Sequence, residues 1–152
     1  MSAPVLVLAW GNPSRGDDGL GPAFAAEVER RFGADIDVLV DYQLAPEHVL
    51  DLGGRRRVYF VDASTTGAPV QLAPVFAARD ATFTSHALSP GALLYIAALV
   101  SPTTLPDCRL LAIRGERFGL GEPLSAVGRA NLRRALGRFE ADLGALTTCA
   151  RL

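Results

Sequence analysis

Basic stretches are missing from this chain of 152 residues. No run of five or more basic residues occurs, and Arg55-Arg56-Arg57 is the densest cluster. With a formal net charge of -1, that excludes the multi-phosphate grip on which nucleic-acid binding depends. Cysteine is scarce too. Cys108 and Cys149 lie far apart with no pairing or metal-ligand spacing, which excludes a disulfide framework and a zinc ribbon. Cys108 opens an apolar run and reads as a core residue, and Cys149 falls in a tail expected to fray. No apolar segment reaches membrane-spanning length, and the first one is broken at once by Gly11 to Asp18, so neither a membrane segment nor a leader is expected. There is no His-Glu-x-x-His helix and no Ser or Cys in a nucleophile-elbow context. Those absences exclude the commonest hydrolase chemistries.

What remains is ordinary globular composition, nearly half apolar and a fifth charged. Its length suits one domain spanning 1–152. Apolar runs alternate with amphipathic stretches. Pro4 to Trp10 reads as a buried strand closed by Gly11-Asn12-Pro13. Leu20, Phe24, Val28 and Phe32 recur every fourth residue, which predicts a helix over 20–32. Strands follow at 36–42 and 57–61, with a short helix over 45–52 between them, closed by Gly53-Gly54. Ala68 to Phe76, broken by Pro69 and Pro74, reads as an edge strand. Ser89-Pro90 reads as the cap and first residue of a further helix. A strand over 109–113 and a long final helix over 123–146 complete the pattern. The alternation implies an α/β fold: a mostly parallel sheet covered by helices on both faces, a three-layer sandwich. In such sheets ligands bind beyond the carboxyl ends of the strands. Around one crevice there lie the turns at Gly11–Asp18, Tyr42-Gln43 and Asp62–Thr66.

Three side chains in this arrangement could carry chemistry. The segment Gly11-Asn12-Pro13-Ser14-Arg15-Gly16-Asp17-Asp18-Gly19-Leu20-Gly21 sits where a phosphate loop would, but its two carboxylates would repel a pyrophosphate. An Asp pair at a helix N-terminus also has a local reading, as cap and partner of the helix dipole. Asp62 follows four apolar residues and is expected to end its strand at the crevice, as a site residue or as a solvated acid. His86 and His48 are the two histidines. His86 precedes a helix, in a region read as loop. His48 lies inside a short helix and reads as a locally bonded residue. Two carboxylates and an imidazole make an oxygen–nitrogen metal site with open positions, able to polarise a carbonyl and acidify water.

With those residues in place, the chain resembles the maturation proteases of nickel-iron hydrogenases, nearly end to end. The family's strand, Gly-Asn, and Gly-Asp-Asp/Glu-Gly-x-Gly are matched by Gly11-Asn12 and Gly16-Asp17-Asp18-Gly19-Leu20-Gly21. Its apolar strand ending in Asp-Ala is matched by Val61-Asp62-Ala63, and its histidine element before a Leu-rich helix by Thr84-Ser85-His86 and Leu93-Leu94. Asp41-Tyr42-Gln43-Leu44 and Ile113-Arg114-Gly115 resemble the branch serving cytoplasmic, cofactor-reducing hydrogenases. The chain departs from the family's Gly-x-Gly-Asn, which is Ala9-Trp10-Gly11-Asn12 here, with Ala9 in place of the first glycine.

The resemblance implies a twisted five-stranded sheet between helices. It also implies metal contact by Asp18, Asp62 and His86, with Asn12, Asp17 and Gln43 supporting those ligands or touching substrate. The implied activity is a metal-assisted or aspartic-type endopeptidase. It would remove the C-terminal tail of a hydrogenase large-subunit precursor once nickel, supplied by that precursor, is present. A cytoplasmic monomer is expected, with no nucleic-acid or membrane partner. Two alternatives stay open: a non-catalytic nickel checkpoint or metallochaperone, and a nucleotide-binding α/β enzyme.

Overall fold

Val5–Trp10 forms the first strand, β1, and Leu20–Phe32 the first helix, α1. The computed structural model describes residues 2–79, 88–101 and 104–150, the side chains of 147–150 excepted. The remaining elements are β2 (Asp37–Asp41), α2 (Val49–Leu52), β3 (Arg57–Ser64), β4 (Val70–Pro74), α3 (Pro90–Val100), β5 (Asp107–Arg114) and α4 (Ala126–Ala150). Ser89 caps α3 as its sequence predicts, its hydroxyl accepting the Ala92 amide at 3.1 Å.

The strands form one five-stranded sheet in the order β2-β1-β3-β5-β4. All pairs are parallel except β4 against β5, which is antiparallel at the edge. Prolines suit that position, where one side of the strand needs no ladder partner. Side chains alternate across the sheet. Val5, Val7, Ala9, Tyr59, Val61, Leu111 and Ile113 pack under α1 and α4, where Phe24, Leu136 and Phe139 are buried. Leu6, Leu8, Val58, Phe60 and Cys108 face Leu52 of α2 and Leu93, Leu94 and Ala97 of α3. Two cores on two faces make the expected three-layer α/β/α sandwich. Phe139 holds the first core together, edge-on to Tyr59, Phe24 and Phe32 at centroid distances of 4.8, 5.4 and 5.8 Å.

Several boundaries differ from expectation. β3 does not stop before Asp62 but runs to Ser64, because β5 pairs with it through Asp62↔Ala112, Ala63↔Ile113 and Ser64↔Arg114. α4 starts at Ala126, capped by Ser125, whose hydroxyl accepts the Gly128 amide at 2.9 Å. Pro123 and Leu124 belong to the approach. The backbone around Cys149, expected to fray, continues α4 to Ala150. Cys108 is a buried core thiol, pushed up to about 12 by burial and by the Asp107 charge.

Candidate functional site

β1 ends at the carboxyl edge of the sheet, where the crevice is expected, and Gly11 turns the chain back. Its φ of 147° and its position both demand glycine, since a β-carbon there would lie 2.0 Å from the Asp18 carbonyl oxygen. The Asn12 side chain then accepts the Ser14 amide at 2.9 Å, and the Asn12 carbonyl accepts the Arg15 amide at 3.0 Å. A 3-10 turn, Gly16–Gly19, leads into α1. The start of α1 presses on two strand ends at once. A β-carbon on Gly21 would lie 2.5 Å from the Trp10 carbonyl oxygen and 3.1 Å from that of Val61.

This packing brings Asp18 and Asp62 to the same end of the sheet. Asp18 is half-buried, and its Oδ2 accepts the Asn12 amide at 2.7 Å. Asp62 is half-buried within β3, one strand over from Trp10. Burial pushes its carboxyl from the ordinary 3.8 to about 6. The Ala63 amide opposes that shift, the charge of Asp18 adds to it, and the Trp10 indole N–H opposes it by hydrogen bonding. Trp10 is steadied edge-on against Phe60 at a centroid distance of 6.2 Å.

Asp17 points the other way. It is wholly buried, against the segment that joins β5 to α4. Burial alone would raise its carboxyl, but hydrogen bonds from Glu116, Ser125 and Arg117 hold it below the usual range. It makes no cap to its own turn. Asp17 is therefore a buried anchor rather than a group facing substrate. Sequence reasoning assigned it no such partner, because the donors lie about a hundred residues downstream.

His48 has a local role. Its Nδ1 accepts the Ala45 amide at 2.8 Å, which leaves Nε2 facing Asp41 Oδ2 at 3.4 Å. Gln43 is exposed. His86 lies outside the described residues. Among the described residues no group of three His, Cys, Asp or Glu side chains could hold a metal ion. Of the three expected ligands, the described residues include Asp18 and Asp62. No helix among the described residues is long and apolar enough to cross a membrane.

No family model and no curated protein matches the chain. Solved structures do. The [NiFe] hydrogenase maturation protease HycI from Thermococcus kodakarensis aligns with a TM-score of 0.69 at 21% identity, over 90% of each chain. The hydrogenase maturating endopeptidase HybD from E. coli aligns with a TM-score of 0.68 at 22% identity, over 95% of this chain and 93% of that one. A hydrogenase 2 maturation peptidase from a Thaumarchaeota archaeon gives 0.66 at 22% identity, over 92% of this chain and 97% of its own. At these identities the likeness is one of fold, and it extends over nearly the whole chain.

Proposed function

We propose that this chain is an endopeptidase of hydrogenase maturation, removing the C-terminal tail from a [NiFe] hydrogenase large-subunit precursor that already carries nickel. The observation that carries the reading is the convergence of Asp18, in the turn between β1 and α1, with Asp62, near the carboxyl end of β3, close enough for one charge to act on the other. Neighbours of the same fold, named as maturation proteases, support it.

The two carboxylates and His86 would contact the nickel held by the precursor, which then marks the substrate as ready. Bound there, that metal would supply Lewis acidity beside the scissile bond. The protein's own part is orientation and proton handling. Asn12 fixes Asp18 from the backbone. Asp62, raised to about 6, has the proton affinity of a general base working near neutral pH. In a second division of roles, favoured by that raised carboxyl, Asp62 is not a nickel contact but the base that activates water. The reading places the protein in the cytoplasm as a monomer.

The test is purified protein incubated with nickel-loaded and nickel-free precursor, followed by mass spectrometry. Shortening of the loaded form alone is expected, and Asp18→Asn, Asp62→Asn and His86→Ala should each abolish it while the fold is retained. A precursor that stays full-length with wild-type protein would point instead to a nickel checkpoint. Normal processing by all three variants would remove the assignment altogether.

A further inference from the structure

The burial of Asp17 goes beyond what capping requires. Its Oδ2 accepts the Glu116 amide at 2.7 Å, the Arg117 amide at 3.1 Å and the Ser125 hydroxyl at 2.6 Å, and its Oδ1 accepts the Ser125 amide at 2.8 Å. All four partners donate. Ser125 Oγ is itself occupied as acceptor by the Gly128 amide, so its proton goes to Asp17. An amide side chain in this seat would set its NH2 against N–H groups, whereas a carboxylate satisfies every donor. The seat is also cut to size. A β-carbon on Gly115 would lie 2.4 Å from Asp17 Cβ, and one on Gly128 would lie 2.4 Å from Asp17 Oδ1.

The same downstream segment grips the backbone of the turn. The Asp17 amide donates to the Arg117 carbonyl at 2.7 Å, and the Gly16 amide to the Glu122 carbonyl at 3.0 Å. In a 3-10 turn successive side chains project about 120° apart. Fixing Asp17 inward therefore fixes the direction in which Asp18 leaves the turn, toward the Asn12 amide and the crevice.

We propose that Asp17 is the positioning residue of the crevice: its buried carboxylate locks the Gly16–Gly19 turn to the 115–125 segment and so sets where Asp18 holds its own carboxylate. The functional half of this inference rests on the reading of Asp18 above, while the geometric half does not.

The test compares Asp17→Asn with Ser125→Ala, a milder variant that keeps three of the four donors even if the first does not fold. Tyr59→Phe, which loses the hydroxyl's hydrogen bonds to Asp142 and from Arg57 toward the opposite end of the sheet, controls for stability. Two quantities are read at a temperature where circular dichroism shows the variants folded: the Asn12 amide resonance, and kcat and KM for tail removal from nickel-loaded precursor. In Asp17→Asn, or in Ser125→Ala to a smaller degree, the Asn12 amide should move toward its position in Asp18→Ala. kcat should drop on the order of tenfold to a hundredfold with KM within about twofold, the cost of a misplaced working group. Tyr59→Phe should move neither. A lowered melting temperature with the Asn12 amide and kcat both unchanged would overturn the proposal and leave Asp17 a structural anchor. If the amide moves while wild-type protein cleaves nothing, the proteolytic reading fails and the positioning role stands.

Discussion

The charge of Asp18 acts on Asp62 and adds to the burial that holds the Asp62 carboxyl at about 6. Burial is the larger cause and the Asp18 charge a smaller one. Removing that charge in Asp18→Asn should therefore lower the Asp62 midpoint without returning it to 3.8. Carbon-13 NMR of the labelled carboxyl against pH measures this directly. A midpoint unchanged from wild type would mean that the two groups do not interact.

If Asp62 must be ionised to act, tail removal has an acid limb. kcat/KM, which reports the free protein, should fall about tenfold per pH unit below a midpoint near 6 and level off above it. Initial rates across pH 4.5 to 8, over the range in which the precursor itself is stable, give the profile. A rate independent of pH through that window would take the general-base role from Asp62.

The same raised carboxyl has an opposite effect on stability. The folded state holds the Asp62 proton more tightly than the unfolded chain does, so stability falls as pH rises from about 4 to about 6 and then stays lowered. Asp62→Asn removes the penalty. The variant should gain about 1–2 kcal/mol over wild type at pH 7–8, a figure reduced for partial exposure, and nothing below pH 4. Urea unfolding at pH 3.5 and pH 7.5 separates the two. A site residue whose loss stabilises the fold while abolishing activity is the pattern of a strained functional group.

Gly21 offers a steric test of how the crevice is built. A methyl group there meets the carbonyl oxygens of both Trp10 and Val61, neither of which can swing aside because both lie in the sheet. Gly21→Ala should push α1 off the strand ends and cost about 1–3 kcal/mol, with tail removal falling further than stability because Asp18 leaves with the helix. Thermal unfolding and single-turnover rates check the two parts. An alanine tolerated in both would mean that the helix can settle elsewhere without disturbing the site.

Local chemistry wrote much of this fold into the sequence. The four-residue spacing of Leu20, Phe24, Val28 and Phe32 marks α1 at both ends, and Ser89-Pro90 marks the start of α3, since helix periodicity and capping are short-range effects. The prolines of β4 correctly place it at an edge. Long-range pairing was not legible. β3 extends past Asp62 only because β5 lies beside it, and α4 begins late because Ser125 serves Asp17 as well as its own helix. The adjacent acids Asp17 and Asp18 look alike in the sequence, and only the segment near residue 120 separates an anchor from a crevice group. The shared sheet end of Asp18 and Asp62 follows from the alternation of strands and helices, whereas their electrostatic contact depends on the close seat of Gly21.

At the amino ends of the strands a charge network does for stability what the crevice does not. Asp142 of α4 accepts Arg57 at 3.0 Å, Arg109 at 2.8 Å and the Tyr59 hydroxyl, tying the long helix to β3 and β5. Arg57 is nearly buried, with Asp107 as a second partner, and Arg109 Nε is already buried without one. Removing Asp142 leaves two guanidinium groups sharing the partly exposed Asp107. Breaking a buried pair from one side costs more than the pair contributes, because the surviving charge stays desolvated. Asp142→Ala should lose about 3–5 kcal/mol, while replacing Arg57 and Asp142 together by Met and Leu should recover most of that loss. Urea unfolding of the two variants decides it. A double variant as unstable as the single one would locate the cost in lost packing rather than in a stranded charge.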